Sequence, residues 1–561
     1  MTIACFVFIG AVCIANLLIR PWGIDMQFHM LRIGELSREI ARGGAFPVYM
    51  FRDVYNHYGY PIPVFYGELI VLPFALLNLA GLSVEAVYYI MVVSILLLAF
   101  LSSYLCIRSV YKDISVSVLG AFGYCMQPFF LCELFERASI GSAFVFVFIP
   151  MIILGIYHID RNTYKCRAVI CLAVGMSGVI TSHVISAVLI CLALIVVLIV
   201  RFRSFVSRTQ ALLSVLISVG LCIVLSAWFI FPMLEQFVSY SFRGQNVGGL
   251  EVSGMNILTL LLPMHLSVAL SELFGWGITE SVVGGCSVCT IALCVYMAVT
   301  KQTGKMSRTE KGLYITYFGM FISLMINVIW IPLGYVLGFM QFSWRIYIVM
   351  TVISALLTVI ALDRNKDPKN MKAVYLIITV CAVYYLIFYL GYFGVRNLFT
   401  NQVSDIVGHE ITETAYSTET ADVLYIPENV DLDMIMGNGR EIRYDPAAIK
   451  CDRFIDENEG SVIIDIDECI SDTTVECPFI MYEGYSAVSE LTRERLRVFA
   501  GDNGLVNVDI SKGTTGKIVV SYTGTITQKI SFLISLCGAV ITMVVLSLSK
   551  KAFGMKDRNE D

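Results

Sequence analysis

The sequence predicts a polytopic α-helical membrane protein of about 12 spans, with an outer β-rich domain just before the last span. Three observations carry that expectation. Of 561 residues, 57% are hydrophobic and 15% charged, with a mean hydropathy of +0.76, which is far too apolar for soluble domains. Apolar runs of about 17–24 residues recur along the chain, each long enough to cross a bilayer core of ~30 Å. From Arg396 the character changes, and about 135 residues of alternating runs are separated by acidic and Gly-rich turns.

The candidate spans are 3–19, 84–107, 114–131, 140–157, 168–182, 184–200, 211–233, 281–300, 312–330, 345–362, 373–391 and 530–549. The first run, Ile3 to Ile19, has no basic n-region and no small-residue cleavage motif. It reads as a retained span rather than a removable signal peptide. Connectors rich in Lys and Arg lie at Arg108–Lys112, Arg161–Arg167, Arg201–Arg208, Lys301–Lys311, Arg364–Lys372 and from Lys550 onward. Twelve spans with both termini cytoplasmic put every one of these connectors inside, as the positive-inside rule demands. Residues 63–80 are apolar but carry Pro63, Glu68 and Pro73. A crossing there would invert every later loop, so this stretch reads as a re-entrant or surface-lying helix on the outer side. The pair 168–182 and 184–200 fits between two basic loops, with Thr181, Ser182 and His183 at the outer turn.

The expected domains are a transmembrane domain over 1–391 with a large first outer loop at 20–83, an extracytoplasmic β-rich domain over 392–529, and the final span with a cytoplasmic tail over 530–561. Within the β-rich part, Ser461–Asp467, Leu505–Ile510 and Lys517–Tyr522 alternate with period two, and Asp502-Asn503-Gly504 signals a turn. A small sandwich is expected. Most of the 17 Cys fall inside spans, where Cys acts as a small hydrophobe. Cys451, Cys469 and Cys477 lie in the soluble part and make no disulfide framework.

The sharpest polar signal follows the first apolar run. On a helix at 100° per residue, Asp25, His29 and Arg32 fall within about 60° of one another, and Glu39 joins the same side. Read functionally, Asp25 is a base or acceptor-positioning carboxylate at the membrane–water boundary, and His29 and Arg32 meet anionic groups. Read structurally, the same pattern is the solvated, ion-paired face of a surface helix. Downstream, Asp53 and His57 sit among Tyr49, Tyr55, Tyr58, Tyr60 and Tyr66. Those tyrosines form either an interfacial aromatic belt or a sugar- or lipid-facing wall with Asp53 as a second acid. Glu133, Glu136 and Arg137 crowd an outer turn, where charges near a bilayer pair with one another or serve a site. His183 is a helix-turn cap or a ligand on the side of Asp25. Arg345, after Trp344, snorkels or grips a lipid phosphate, for which a guanidinium is suited by its bidentate fork.

Other classes are excluded or unsupported. His409-Glu410 lacks a second His four residues on, so it is no zinc-protease motif. No Walker loop, dinucleotide fingerprint or nucleic-acid-binding pattern occurs, and no ligand cluster demands a metal.

Several motifs together resemble a known group. Gly23-x-Asp25-x-x-x-His29-x-x-Arg32 follows the first span; then come Gly43 to Pro47, Tyr58-Gly-Tyr-Pro61, Glu136-Arg137-Ala138, Ser182-His183 and Gln341-Phe-Ser-Trp-Arg345. Pro478 to Gly484, Gly501 to Gly504 and Gly516 to Tyr522 close the chain. They resemble bacterial multi-spanning proteins of the YfhO type and the related "6-pyruvoyl-tetrahydropterin synthase-related" group, nearly end to end. Ser343 stands where that group often has Pro. The resemblance implies the glycosyltransferase C (GT-C) architecture and transfer of a sugar from a polyprenyl-phosphate carrier outside the membrane, to a cell-surface polymer or glycolipid. It carries the first-loop acid over to Asp25, with Asp53 as assisting carboxylate. The lipid-phosphate Arg carries over to Arg345, and His29, Arg32, His57, Tyr60, Arg137 and His183 are the further substrate contacts. No cofactor is required, and a divalent metal fits without being demanded. The expected setting is a bacterial plasma membrane, with membrane lipid as a partner. A lipid or polysaccharide transporter and a non-catalytic envelope-assembly protein are the alternatives.

Overall fold

The computed structural model describes residues 10, 25–43, 46–163, 165–202, 208–246, 250, 260–261, 286–365, 367, 370–384, 423–437, 439–456 and 460–556. The fold is mostly helical, with a β-sheet domain late in the chain. Its helices are α1 (Met26–Ala41), α2 (Leu72–Leu79), α3 (Val84–Tyr111), α4 (Ile114–Cys125), α5 (Ile140–Arg161), α6 (Lys165–Ser182) and α7 (Val184–Val200). They continue with α8 (Thr209–Ser239), α9 (Val288–Val299), α10 (Arg308–Leu324), α11 (Asn327–Leu337), α12 (Tyr347–Arg364), α13 (Asn370–Tyr384) and α14 (Ile526–Lys556).

Among the described residues six helical stretches are long and apolar enough to cross a membrane: α3, α5, α6, α8, Ser343–Arg364 and Ile526–Leu548. Two more expected spans are bent pairs. Ile114–Cys125 and Pro128–Phe135 turn by 53°, and Arg308–Leu324 and Asn327–Met340 by 99°. The stretch 312–330 therefore does not cross as one straight helix. The expected spans at 184–200, 281–300 and 373–391 fall on the shorter apolar helices α7, α9 and α13. Residues 281–285 and 385–391 lie outside the described residues, as does the expected first span at 3–19 apart from Gly10.

The stretch 63–80 is broken into pieces. A turn of helix at Ile62–Phe65 and a 3₁₀ turn at Glu68–Ile70 lead into the eight-residue α2. The reason is local: Gly67 breaks the helix, and Pro73 at the start of α2 has no N–H to continue an earlier one. Gly67 also permits a close approach, since a Cβ there would stand 2.0 Å from the Thr181 carbonyl oxygen. Gly141 does the same on the other side, with 2.6 Å to the Ser182 carbonyl oxygen. The end of α6 is thus seated between the first loop and the start of α5.

The β domain has two antiparallel sheets. β1 (Ile449–Asp456), β2 (Ser461–Cys469), β8 (Gly516–Tyr522), β4 (Tyr485–Ser489) and β5 (Arg495–Leu496) form one, in the order β1-β2-β8-β4-β5. β3 (Thr473–Ile480), β7 (Leu505–Ile510) and β6 (Val498–Ala500) form the other, in the order β3-β7-β6. Alternate residues of both, such as Val462, Ile464, Ile518, Val475 and Val508, bury into one shared core, the arrangement of a sandwich. Asp502-Asn503-Gly504 turns β6 into β7, with Gly504 at φ +74° and the Asn503 Oδ1 accepting from the Leu505 N–H.

This domain is joined to the helices by residues 478–484. The Ile480 N–H donates to the Tyr58 carbonyl at 3.0 Å, and the Gln236 amide exchanges two hydrogen bonds with the Glu483 backbone. Glu235 accepts from the hydroxyls of Thr525 and Thr527, fixing the start of α14. Opposite this end, Asp160 binds Arg201 and Arg208, and Arg364 binds Glu310. The bundle therefore has one basic-connector end and one end that carries the β domain.

Candidate functional site at the start of helix α1

Helix α1 does not show its polar face to water. His29, Arg32, Glu35 and Glu39 are all buried, so the solvated-face reading of this stretch is overturned. Burying charged groups is expensive unless each finds a partner, and the partners define two separate networks at the helix ends.

At the N-terminal end, the Asp25 N–H donates to the Arg137 carbonyl at 2.8 Å. The Asp25 carboxylate accepts from the Ser139 hydroxyl and feels the charges of Arg137 and Arg345. Burial raises its carboxyl above the ordinary range, and these three neighbours offset that only in part. Arg137 Nε stands 3.2 Å from Glu133 Oε1, and its guanidinium lies 4.3 Å from the Trp344 ring centroid. The Glu133–Arg137 self-pairing weighed from sequence is therefore present. The pair has i,i+4 spacing on a five-residue π-helical turn, Cys132–Glu136, closed by the Arg137 N–H donating to the Cys132 carbonyl at 2.8 Å.

Arg345 completes this end. Its guanidinium packs 5.5 Å from the Phe342 ring and 5.8 Å from Trp344, and its buried Nη1 has no hydrogen-bond partner among the described residues. His183 caps α7, with Nδ1 accepting from the Ser186 N–H at 3.2 Å. Because Nδ1 accepts, the neutral ring carries its proton on Nε2 and has a donor to spare. A cleft of about 20 Å³ is bounded by Glu133, Arg137, Ser139, His183, Trp344 and Arg345. Of the residues singled out from sequence, Asp25, Arg137, His183 and Arg345 thus gather here. The sequence reading missed Ser139, which looks like a simple helix cap before an apolar run. In the structure its side chain makes no cap and turns to Asp25 instead.

His29 and Arg32 are absorbed into the framework. His29 Nε2 accepts from the Ile140 N–H at 3.1 Å, while Nδ1 lies 3.1 Å from Arg32 Nη1. Burial, then the positive Arg32, push its pKa well below the ordinary histidine range. Arg32 is 1% exposed and pairs with buried Glu68 at 2.7 Å. Both residues hold the first loop together at the margin of the cleft.

The C-terminal end is a different place. Arg42 binds both oxygens of Asp53 at 2.9 and 2.8 Å, Arg38 approaches at 3.4 Å, and His57 Nδ1 lies 3.2 Å away. Burial alone would raise the Asp53 carboxyl, but the His57 and Arg42 hydrogen bonds outweigh it and hold it down at about 2. Glu39 binds Arg52 at 2.6 Å and Arg42 at 3.1 Å. Arg38 and Arg42 lie 13 and 17 residues past Asp25, which is roughly 20–25 Å along the helix axis. Asp53 and His57 therefore do not share the cleft of Asp25 and Arg345, and Asp53 stands apart from the acid it was expected to assist. Tyr60 is also elsewhere: it is fully buried, and its hydroxyl accepts from the Tyr425 N–H in the seam with the β domain.

The donor set does not suit a divalent cation. Among the described residues no three His, Cys, Asp or Glu side chains come together, and Asp25 and Glu133 each stand beside a guanidinium.

No family model and no curated protein matches this chain. Among the solved structures it is similar to, two share 15% identity with it over 69% of its length. One is the Archaeoglobus fulgidus oligosaccharyltransferase in complex with Zn and sulfate, at a TM-score of 0.36 over 53% of that chain. The other is the archaeal oligosaccharyltransferase AglB from the same organism in complex with an inhibitory peptide and a dolichol-phosphate, at 0.40 over 55%. The chain spans about half the length of the structures it matches, and a likeness this distant carries no argument about chemistry.

Proposed function

We propose that this chain is a membrane glycosyltransferase of the GT-C class, moving a sugar from a polyprenyl-phosphate carrier to a hydroxyl of a cell-surface polymer or glycolipid on the outer face. The observation that carries the reading is the gathering of Asp25, Arg137, His183 and Arg345, with a buried Arg345 N–H left unpartnered. The motif resemblance supplies the reaction class.

A polyprenyl phosphate is a good leaving group, so the protein has two tasks. Asp25 takes the proton from the acceptor hydroxyl as its oxygen attacks the anomeric carbon, and burial, by raising its pKa, makes it a stronger base than a free carboxylate. The bond from that carbon to the phosphate oxygen breaks, and the departing phosphate gains a negative charge. Arg345 and Arg137 stabilise that charge, with the His183 Nε2–H as a further donor. Stacking on Phe342 and Trp344 holds the Arg345 guanidinium in place before substrate arrives. Asp53 is a positioning residue: it fixes Arg38 and Arg42 at the far end of α1 and does not meet the reacting atoms.

The test is sugar transfer in membranes supplied with a labelled polyprenyl-phosphate sugar, comparing the wild type with Asp25→Asn and Arg345→Ala. Loss in both supports the reading. Transfer at wild-type rate in both overturns it.

A further inference from the structure

A second opening lies at the other end of α1, and the transfer reaction makes no use of it. It is a cavity of about 450 Å³ where the first loop, the end of β8 and the start of α14 meet. That volume is in the range of small-molecule sites. Its walls divide by polarity. Glu39, Arg52, Gln528 and Lys529 stand with the Thr523 to Gly524 turn, while Phe46, Phe532 and Leu533 make an apolar side.

The charges in it do not cancel. Glu39 is matched by Arg52 at 2.6 Å, and Lys529 has no ion-pair or hydrogen-bond partner for its ammonium among the described residues. Lys529 also begins a pattern. Residues 529, 532, 533, 536 and 540 fall on one face of a helix. Beneath the cation that face is Phe532, Leu533, Leu536 and Val540, with Leu533 59% and Leu536 49% exposed. Phe46, 51% exposed, meets Phe532 edge to face at 5.9 Å. A cation above an exposed apolar stripe, at the end of a helix long enough to span, is matched in charge and polarity by an anionic amphiphile.

We propose that this junction is a binding site for an anionic phospholipid. The headgroup phosphate sits at Lys529, in the cavity floored by the Glu39–Arg52 pair, and an acyl chain follows Phe532, Leu533, Leu536 and Val540 down α14. The bound lipid bridges the first loop, the β domain and the last helix. The inference is independent of the transfer reaction, because its measurement is of binding alone.

The full-length protein is reconstituted in nanodiscs of equal parts phosphatidylglycerol and phosphatidylcholine, then released and weighed by native mass spectrometry. The expected result is a retained phosphatidylglycerol adduct. Lys529→Glu should weaken it by about tenfold, the scale of reversing one charge at a membrane surface, and Phe532→Ala should weaken it further than a substitution on the opposite face, Ile534→Ala. Equal retention of the two lipids, or equal phosphatidylglycerol adducts in wild type and Lys529→Glu, overturns the proposal. So does displacement by polyprenyl phosphate at concentrations where added phosphatidylglycerol has no effect, which assigns the site to the carrier. Circular dichroism shows whether the variants fold.

Discussion

The two ends of helix α1 carry similar residues and do opposite things with them. At the C-terminal end, Arg38, Arg42 and Arg52 meet Glu35, Glu39 and Asp53, and every one of those guanidiniums has a carboxylate within 3.5 Å. At the N-terminal end two guanidiniums, Arg137 and Arg345, crowd Asp25 and Glu133, and Arg345 keeps a buried N–H without a partner. The first arrangement is a closed account of charge and serves stability. The second balances two guanidiniums against two carboxylates but leaves an Arg345 N–H unbonded among the described residues, a donor open to an anionic group. Charged-residue content did not distinguish them; the difference lies in which partners each acid finds.

Substitutions at the two ends should separate these roles. The largest expected effect is Asp25→Asn, which should cut sugar transfer by about 10²–10⁴-fold, the usual contribution of a positioned base, with little change in unfolding temperature. The acid limb of the wild-type rate profile should lie above the ordinary carboxylate range, since burial raises the Asp25 pKa; a limb at the value of a free Asp would count against its role. Next is Arg32→Met, which strands buried Glu68 and should cost about 3–5 kcal/mol of stability, read as denaturant midpoint in detergent. If the midpoint is unmoved, the pair is not the loop's anchor.

Asp53→Asn should cost about 2 kcal/mol, the worth of a carboxyl held nearly two pH units below its free value, with transfer per folded molecule unchanged. The sign follows from its depressed pKa: Asp53 stabilises the fold above about pH 4 and loses that contribution as pH falls through about 2. A loss of transfer without a loss of stability would move Asp53 back among the reacting groups. Glu35 tests the same end with the opposite sign, since burial raises its carboxyl to about 7. Its contribution is fully present below about pH 4.5 and is lost as pH rises through 7. Glu35→Gln should therefore flatten the stability profile between those values, and an unchanged slope would show that Arg38 already keeps Glu35 ionised.

Much of this organisation was legible in the sequence, and the failures have physical causes. Apolar run length marked the helices, and period-two alternation marked β2, β7 and β8 within a residue or two at most of their ends. Pro63, Glu68 and Pro73 marked a stretch that the structure breaks into short pieces. Asp25, Arg137, His183 and Arg345 could be named because charges beside apolar runs are expensive and so stand out. Their separation from Asp53 could not, since first-loop residues 25 and 53 are near in sequence while a straight helix holds their surroundings apart. Tyr60 was misread because an aromatic belt, a binding wall and an interdomain seam share the same composition. The 99° bend after Leu324 is also invisible to an apolar count, which sums over the break.

Residues 478–484 set a timetable for the protein's synthesis. The backbone N–H of Ile480 binds the carbonyl of Tyr58, a partner made about 420 residues earlier, so the first loop waits for nearly the whole chain to leave the ribosome before that contact exists. Until then the seam around Tyr60 and Tyr482 is open, and a nascent chain arrested short of the β domain carries its first loop on an unfinished support.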